Sequence, residues 1–111
     1  MQYYNEEKMQ KLRLKLEKEI LNWPYVTTKK MYGCPCYKFK KKLFAFLVTD
    51  GIVLTKINEQ DKIKLSKEFK IKPFQAANRI MKNWPQIPFD ETSNIEKIIP
   101  FLKNSYNQSK T

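Results

Sequence analysis

The chain has 111 residues, 41% of them hydrophobic and 14% aromatic, with 22 Lys and Arg against 11 Asp and Glu, for a formal net charge of +11. That is the length of one domain, 1–111, with enough apolar side chain for a real core, which excludes a disordered chain. His is absent and Gly occurs only at positions 33 and 51, which removes His-based catalysis, the commonest metal ligand and any glycine-rich phosphate loop.

Residues 6–22 read as a helix, because Met9, Leu12, Leu16 and Ile20 recur at three- and four-residue steps on one face. Leu14 and Leu21 lie off that stripe. Glu6 and Glu7 suit the positive end of the helix dipole, and Pro24 ends the helix, which places Trp23 at its exit, packed back on the core. Residues 25–31 are rich in β-formers and predict a strand, broken or bent at Tyr32-Gly33. Cys34 to Phe39 predicts a second strand, with Pro35 at an edge or bulge because proline cannot donate to a ladder. Lys40, Lys41 and Lys42 form a basic turn.

Residues 43–56 carry the strongest local signal. Two apolar runs flank Asp50-Gly51, a dipeptide suited to a type I′ hairpin turn because both central residues need positive φ. Strict alternation puts Leu43, Ala45, Leu47 and Thr49 on one face and Phe44, Phe46 and Val48 on the other. Both faces are apolar, so the hairpin belongs at the centre of a sheet covered on both sides, or on one side by a partner chain.

Asn58 is the expected N-cap of a helix over 59–69, packed through Ile63, Leu65 and Phe69, with Lys62, Lys64, Lys67 and Lys70 outward. Pro73-Phe74 ends that region, 75–80 is ambiguous, and 80–87 reads as an extended edge because of Pro85 and Pro88. Ser93 to Glu96 has the form of a capping box and opens a last helix over 94–106, with Ile95, Ile98, Ile99, Leu102 and Tyr106 inward. Pro100 inside it implies a kink or two abutting helices. The tail 107–111 is polar and expected to fray. The resulting order predicts an α+β fold: an antiparallel sheet with N-terminal, middle and C-terminal helices packed against it.

Along this path Met31-Tyr32-Gly33, Tyr37, Leu43-Phe44-Ala45-Phe46, Asp50-Gly51, Leu54-Thr55-Lys56, Lys72-Pro73-Phe74, Trp84, Pro88, Ile99-Pro100-Phe101 and Ser105-Tyr106 follow one another in a set order. Over residues 28–106 that series resembles the N-terminal domain of the TfoX (Sxy) family. The resemblance implies an α+β domain with an antiparallel sheet and a non-enzymatic, regulatory role. Family members are linked to natural competence as transcription co-regulators acting through contacts with another protein, and full-length members carry a second, C-terminal domain beyond the part matched here. The family has no established catalytic residues, so the resemblance implies none, and no cofactor. This chain departs from the pattern at Cys34-Pro35-Cys36, where a small residue is usual.

Two features carry chemistry of their own. Lys38, Lys40, Lys41 and Lys42, interleaved with Tyr37 and Phe39, suit a turn pressed on a phosphate backbone, so direct nucleic-acid binding is the first alternative. The competing reading is a solvated lysine face. Arg13 and Arg79 are the only arginines, and a Lys-, Asn- and Ile-rich composition is what an AT-rich genome gives any surface. Cys34 and Cys36 sit two apart on a strand and share a face, which makes a thiol or soft-metal site the second alternative, against two buried thiols in a reduced compartment. No basic segment leads into an apolar one at the N-terminus, and the longest apolar run, 43–48, is far short of a membrane span. A soluble cytoplasmic protein, monomer or homodimer, is expected.

Overall fold

The computed structural model describes residues 3–111. Its elements are α1 (Glu6–Ile20), β1 (Val26–Met31), β2 (Cys34–Phe39), β3 (Lys42–Val48), β4 (Gly51–Leu54), α2 (Glu59–Glu68), β5 (Lys72–Ala76), β6 (Arg79–Pro88), a 3₁₀ turn (Ile95–Lys97) and α3 (Ile99–Gln108). The strands make one antiparallel sheet in the order β1-β2-β3-β4-β6-β5, and with the three helices they give the expected α+β class. None of the described helices is long and apolar enough to cross a membrane.

The apolar run of β3 lies in the middle of the sheet, and Phe44 to Val48 are all buried, so both of its faces are covered. Strict alternation fails at one point. The β2–β3 register steps from Tyr37↔Ala45 to Lys38↔Leu43 and leaves Phe44 in a bulge. A bulge re-aims side chains. Phe44 meets Trp23 and Tyr106, whereas Phe46 meets Phe74 and Trp84, so the two rings expected on one face serve two separate clusters. The freed backbone at the bulge is satisfied by Ser105, whose hydroxyl donates to the Phe44 carbonyl at 2.6 Å and accepts from the Lys56 amide at 3.1 Å.

The hairpin itself is shifted by one residue from the expected turn. Val48 pairs with Gly51, so Thr49-Asp50 is the turn, and only Asp50 is left-handed, at φ 59°. The turn with two positive φ values is Tyr32-Gly33, between β1 and β2. Gly51 is needed for space instead. A Cβ there would lie 3.1 Å from the Ile87 carbonyl oxygen and 3.2 Å from Val48 Cγ2. Gly51→Ala is therefore expected to destabilise the fold by about 1–3 kcal/mol through overpacking, with the urea midpoint as the measurement.

Helix α1 buries the predicted stripe Met9, Leu12, Leu16 and Ile20 and leaves Leu14 and Leu21 exposed. Asn58 caps α2 by accepting from the Asp61 amide at 2.8 Å, but Leu65 and Asp61 face inward and Ile63 is exposed, a correction to the expected packing.

Two further corrections concern the second half. Pro73 and Phe74 lie within β5 and do not simply close a helix, and β6 pairs on both sides instead of forming an edge. Prolines are tolerated because Pro73 faces Pro85 next to a jump in register to Phe74↔Met81, while Pro88 faces Gly51 at a ladder end. Near the C-terminus, Pro100 falls in the first turn of α3, where its missing N–H costs nothing, and the segment is a 3₁₀ turn abutting a helix. Asn94 caps the 3₁₀ turn, and Ser93 bonds Asp90 instead of closing a capping box. The tail does not fray as expected: Ser109 is fully buried, and the Thr111 carbonyl accepts from Lys42 Nζ at 2.6 Å.

Candidate functional site

Three groups of chemistry-bearing side chains are set by this fold. The first lies on α1 and β2. Arg13 holds both oxygens of Glu6, at 2.9 Å from Nε and 2.8 Å from Nη2, and reaches Glu17 from Nη1 at 2.9 Å. The Tyr4 hydroxyl donates to Glu6 and the Tyr37 hydroxyl to Glu17. Hydrogen bonds from Arg13 and then Tyr4 hold the Glu6 carboxyl below its ordinary range, while burial, reinforced by Glu17, pushes the buried Tyr37 hydroxyl far up. Each acid in this network is matched by donors, so it works as a clamp between helix and sheet.

The second group is a pocket of about 270 Å³ on the other face of the sheet, where Cys34 and Cys36 share the lining with Phe46, Phe74 and Trp84. The two thiols thus share a face, as their spacing predicted. Both are buried, and burial raises both, Cys34 to about 11, so at neutral pH they are protonated thiols and poor nucleophiles. No cluster of three or more His, Cys, Asp or Glu side chains occurs among the described residues.

The alkaline limit of stability follows from these groups. The fold holds the Cys34 thiol and the Tyr37 phenol neutral, with raised values, while the unfolded chain releases their protons near 9 and 10. Their contribution is complete below those values and is lost as pH rises. The melting temperature is expected to fall from about pH 9 upward, and Cys34→Ala combined with Cys36→Ala is expected to remove the part of the fall that begins first.

The third group is a corner where the β2–β3 turn, the α1–β1 loop and α3 meet. Lys40 Nζ lies 5.1 Å from the Tyr25 ring and 5.5 Å from Phe39. Lys110 Nζ lies 5.8 Å from Phe39 and 4.4 Å from Tyr106, and Lys103 Nζ lies 5.1 Å from Tyr106 and 4.5 Å from Trp23. Successive ammonium groups share a ring, so the three form one continuous row. Like charges are held together because aromatic faces attract cations. Lys41 sits exposed in the same turn, and Lys42 is tied to the C-terminal residue. Among the described residues, the ion pairs are Lys8–Asp50, Arg13–Glu6 and Arg13–Glu17, and none of them neutralises this row.

The structure therefore divides the predicted basic cluster. Lys40, Lys41 and Lys42 belong to the corner. Lys38 points to the thiol side: it pairs with the pocket residue Leu43, and its charge is felt by Cys36. Lys103 and Lys110 are the residues that sequence reasoning missed, and Tyr25, which from sequence reads with Trp23 as core packing in preference to a ligand platform, is exposed. Tyr25 and the lysines of the C-terminal helix are distant in sequence from the Lys40 turn, and only the Val26↔Phe39 pairing and the return of α3 across β3 bring them together. No protein-family model, no curated protein and no solved structure matches the chain.

Proposed function

We propose that this protein is a non-enzymatic regulatory and binding domain of the kind the TfoX resemblance implies, and that its working surface is the lysine–aromatic corner with a nucleic-acid backbone as partner. The observation that supports this reading is the row of Lys40, Lys110 and Lys103 on shared rings, free of carboxylate partners among the described residues and flanked by Lys41. Charges that lack internal partners gain most from external anions, and lysines recognise phosphate as point charges without reading sequence. A transcription-linked role in the cytoplasm accords with that chemistry.

The test is fluorescence anisotropy with a labelled random DNA at about 0.05 M and about 0.15 M salt. Three to five lysine–phosphate contacts predict a slope of log affinity against log salt of about −3 to −5. Binding that is absent at both concentrations would sink the reading.

Contact with another protein is the second reading, and one observation favours it. Strand β1 pairs on one side only, with β2, and Thr27 to Met31 are exposed, so a free sheet edge is available for an added strand. Lys29 and Lys30 on that edge discourage indiscriminate pairing. With the partner bound, amide hydrogen exchange along β1 should then slow, and unchanged exchange there would count against it.

A further inference from the structure

Tyr25 is 68% exposed, yet its backbone is held in a conformation that L-residues avoid, at φ 63°. A glycine or asparagine would sit there with less strain. The surroundings leave no choice of path. The Pro24 carbonyl accepts from the Tyr106 hydroxyl at 2.7 Å, and the Tyr25 carbonyl accepts from the Lys40 amide at 3.0 Å. The strain is thus imposed by a rigid frame, and strained residues held this way concentrate at ligand clamps. The ring itself packs little: it stands near-perpendicular to the Phe39 ring at 6.1 Å and carries Lys40 Nζ over it at 5.1 Å. An exposed ring that the fold holds at a cost, beside a row of cations, is the arrangement of a stacking platform.

Building on the nucleic-acid reading above, we infer that the strand bound at this corner is single-stranded, with one unpaired base stacked on Tyr25 while Lys40, Lys103 and Lys110 follow its phosphates. A duplex keeps its bases inside the stack and offers the ring only sugar and phosphate. A single strand offers a π-face of any base, so the platform is tolerant of sequence, as befits lysines that read charge alone.

The experiment uses the full chain with a labelled mixed-sequence 12-nucleotide strand and the same strand annealed to its complement, at about 0.15 M salt. The expected result is single-strand binding on the order of tenfold tighter than duplex binding. Tyr25→Gly should lose roughly 5- to 150-fold on the single strand and less than twofold on the duplex. Its melting temperature should be unchanged or higher, because glycine relieves the φ strain. Tyr25→Asn should behave alike, and Tyr25→Phe should retain binding. Equal affinity for the two forms, or a Tyr25→Gly variant that binds the single strand like the parent, would overturn this inference and leave the nucleic-acid reading standing. A protein that binds neither form would overturn both. A Tyr25→Gly variant that melts lower would make the ring a packing element and overturn the platform.

Discussion

Phe44→Ala is expected to cost about 3–5 kcal/mol, at the upper end for a single core truncation. Phe44 is fully buried, and its ring lies against Trp23 at 6.4 Å and Tyr106 at 5.5 Å. Those contacts join the end of α1, the centre of the sheet and α3. The bulge also places the Phe44 carbonyl where Ser105 and Thr55 donate to it. Truncation would leave a cavity among aromatic rings that cannot collapse without moving α3, and the cavity term adds to the lost transfer energy. Against a total of about 5–15 kcal/mol for a domain of this class, that is a large share. Urea unfolding followed by tryptophan fluorescence measures it. A loss below about 1 kcal/mol would mean that α3 does not depend on the bulge. The corner should suffer with the core, since Tyr106 carries Lys103 and Lys110 on its ring. Phe46→Ala, in the separate cluster with Phe74 and Trp84, should destabilise without that selective effect on the corner.

The contrast between these two phenylalanines shows where sequence reasoning stops. Period 2 predicted that they share a face, and it described β3 from Ala45 to Val48 well, because register between buried strands is strongly specified by apolar pattern. Leu43, before the bulge, lies on the face of Phe46 and not on that of Ala45 and Leu47. A bulge is an insertion of one residue relative to a partner strand, so it is a property of the β2–β3 pair and invisible in β3 alone. Helix α1 was legible for the opposite reason: its stripe is a local repeat that needs no partner to be read. The β5–β6 hairpin was missed because its turn, Ala77-Asn78, carries no glycine, with Ala77 left-handed at φ 52°, and because prolines that normally mark an edge here face each other at an irregularity. The same logic governs the site. Lys40, Lys41 and Lys42 announce themselves as a run. Tyr25, Lys103 and Lys110 join them only through pairing and helix return, and Lys38, next in sequence to Phe39, is carried to the other face by the alternation of the strand.

The double charge reversal Lys40→Glu with Lys110→Glu is expected to weaken nucleic-acid binding on the order of 50-fold at 0.1 M salt and to reduce the magnitude of the salt slope by about 2. Each lysine that loses a phosphate contact forfeits close to one released counterion, and the reversed charges add repulsion. The net charge of +11 would fall by four, so a loss of affinity alone would not distinguish a site from a general field. The control is Lys11→Glu with Lys15→Glu, an equal change in net charge on the exposed face of α1, away from the corner. If the corner is the site, the control should shift affinity only a few-fold and keep the salt slope, because charges more than a Debye length of ~8–10 Å from the bound phosphates are screened. Equal losses in the two double variants would mean that the protein attracts polyanions through its overall charge, and the corner lysines would then be a surface stabilised only by the rings beneath them. The decision rests on the slope more than on the affinity, since the slope counts contacts directly. Structural damage is separable in the same experiment. Lys40 and Lys110 lie over Phe39, and losing both cation–π contacts should cost about 1–2 kcal/mol, an effect visible in the melting temperature but small against the binding loss.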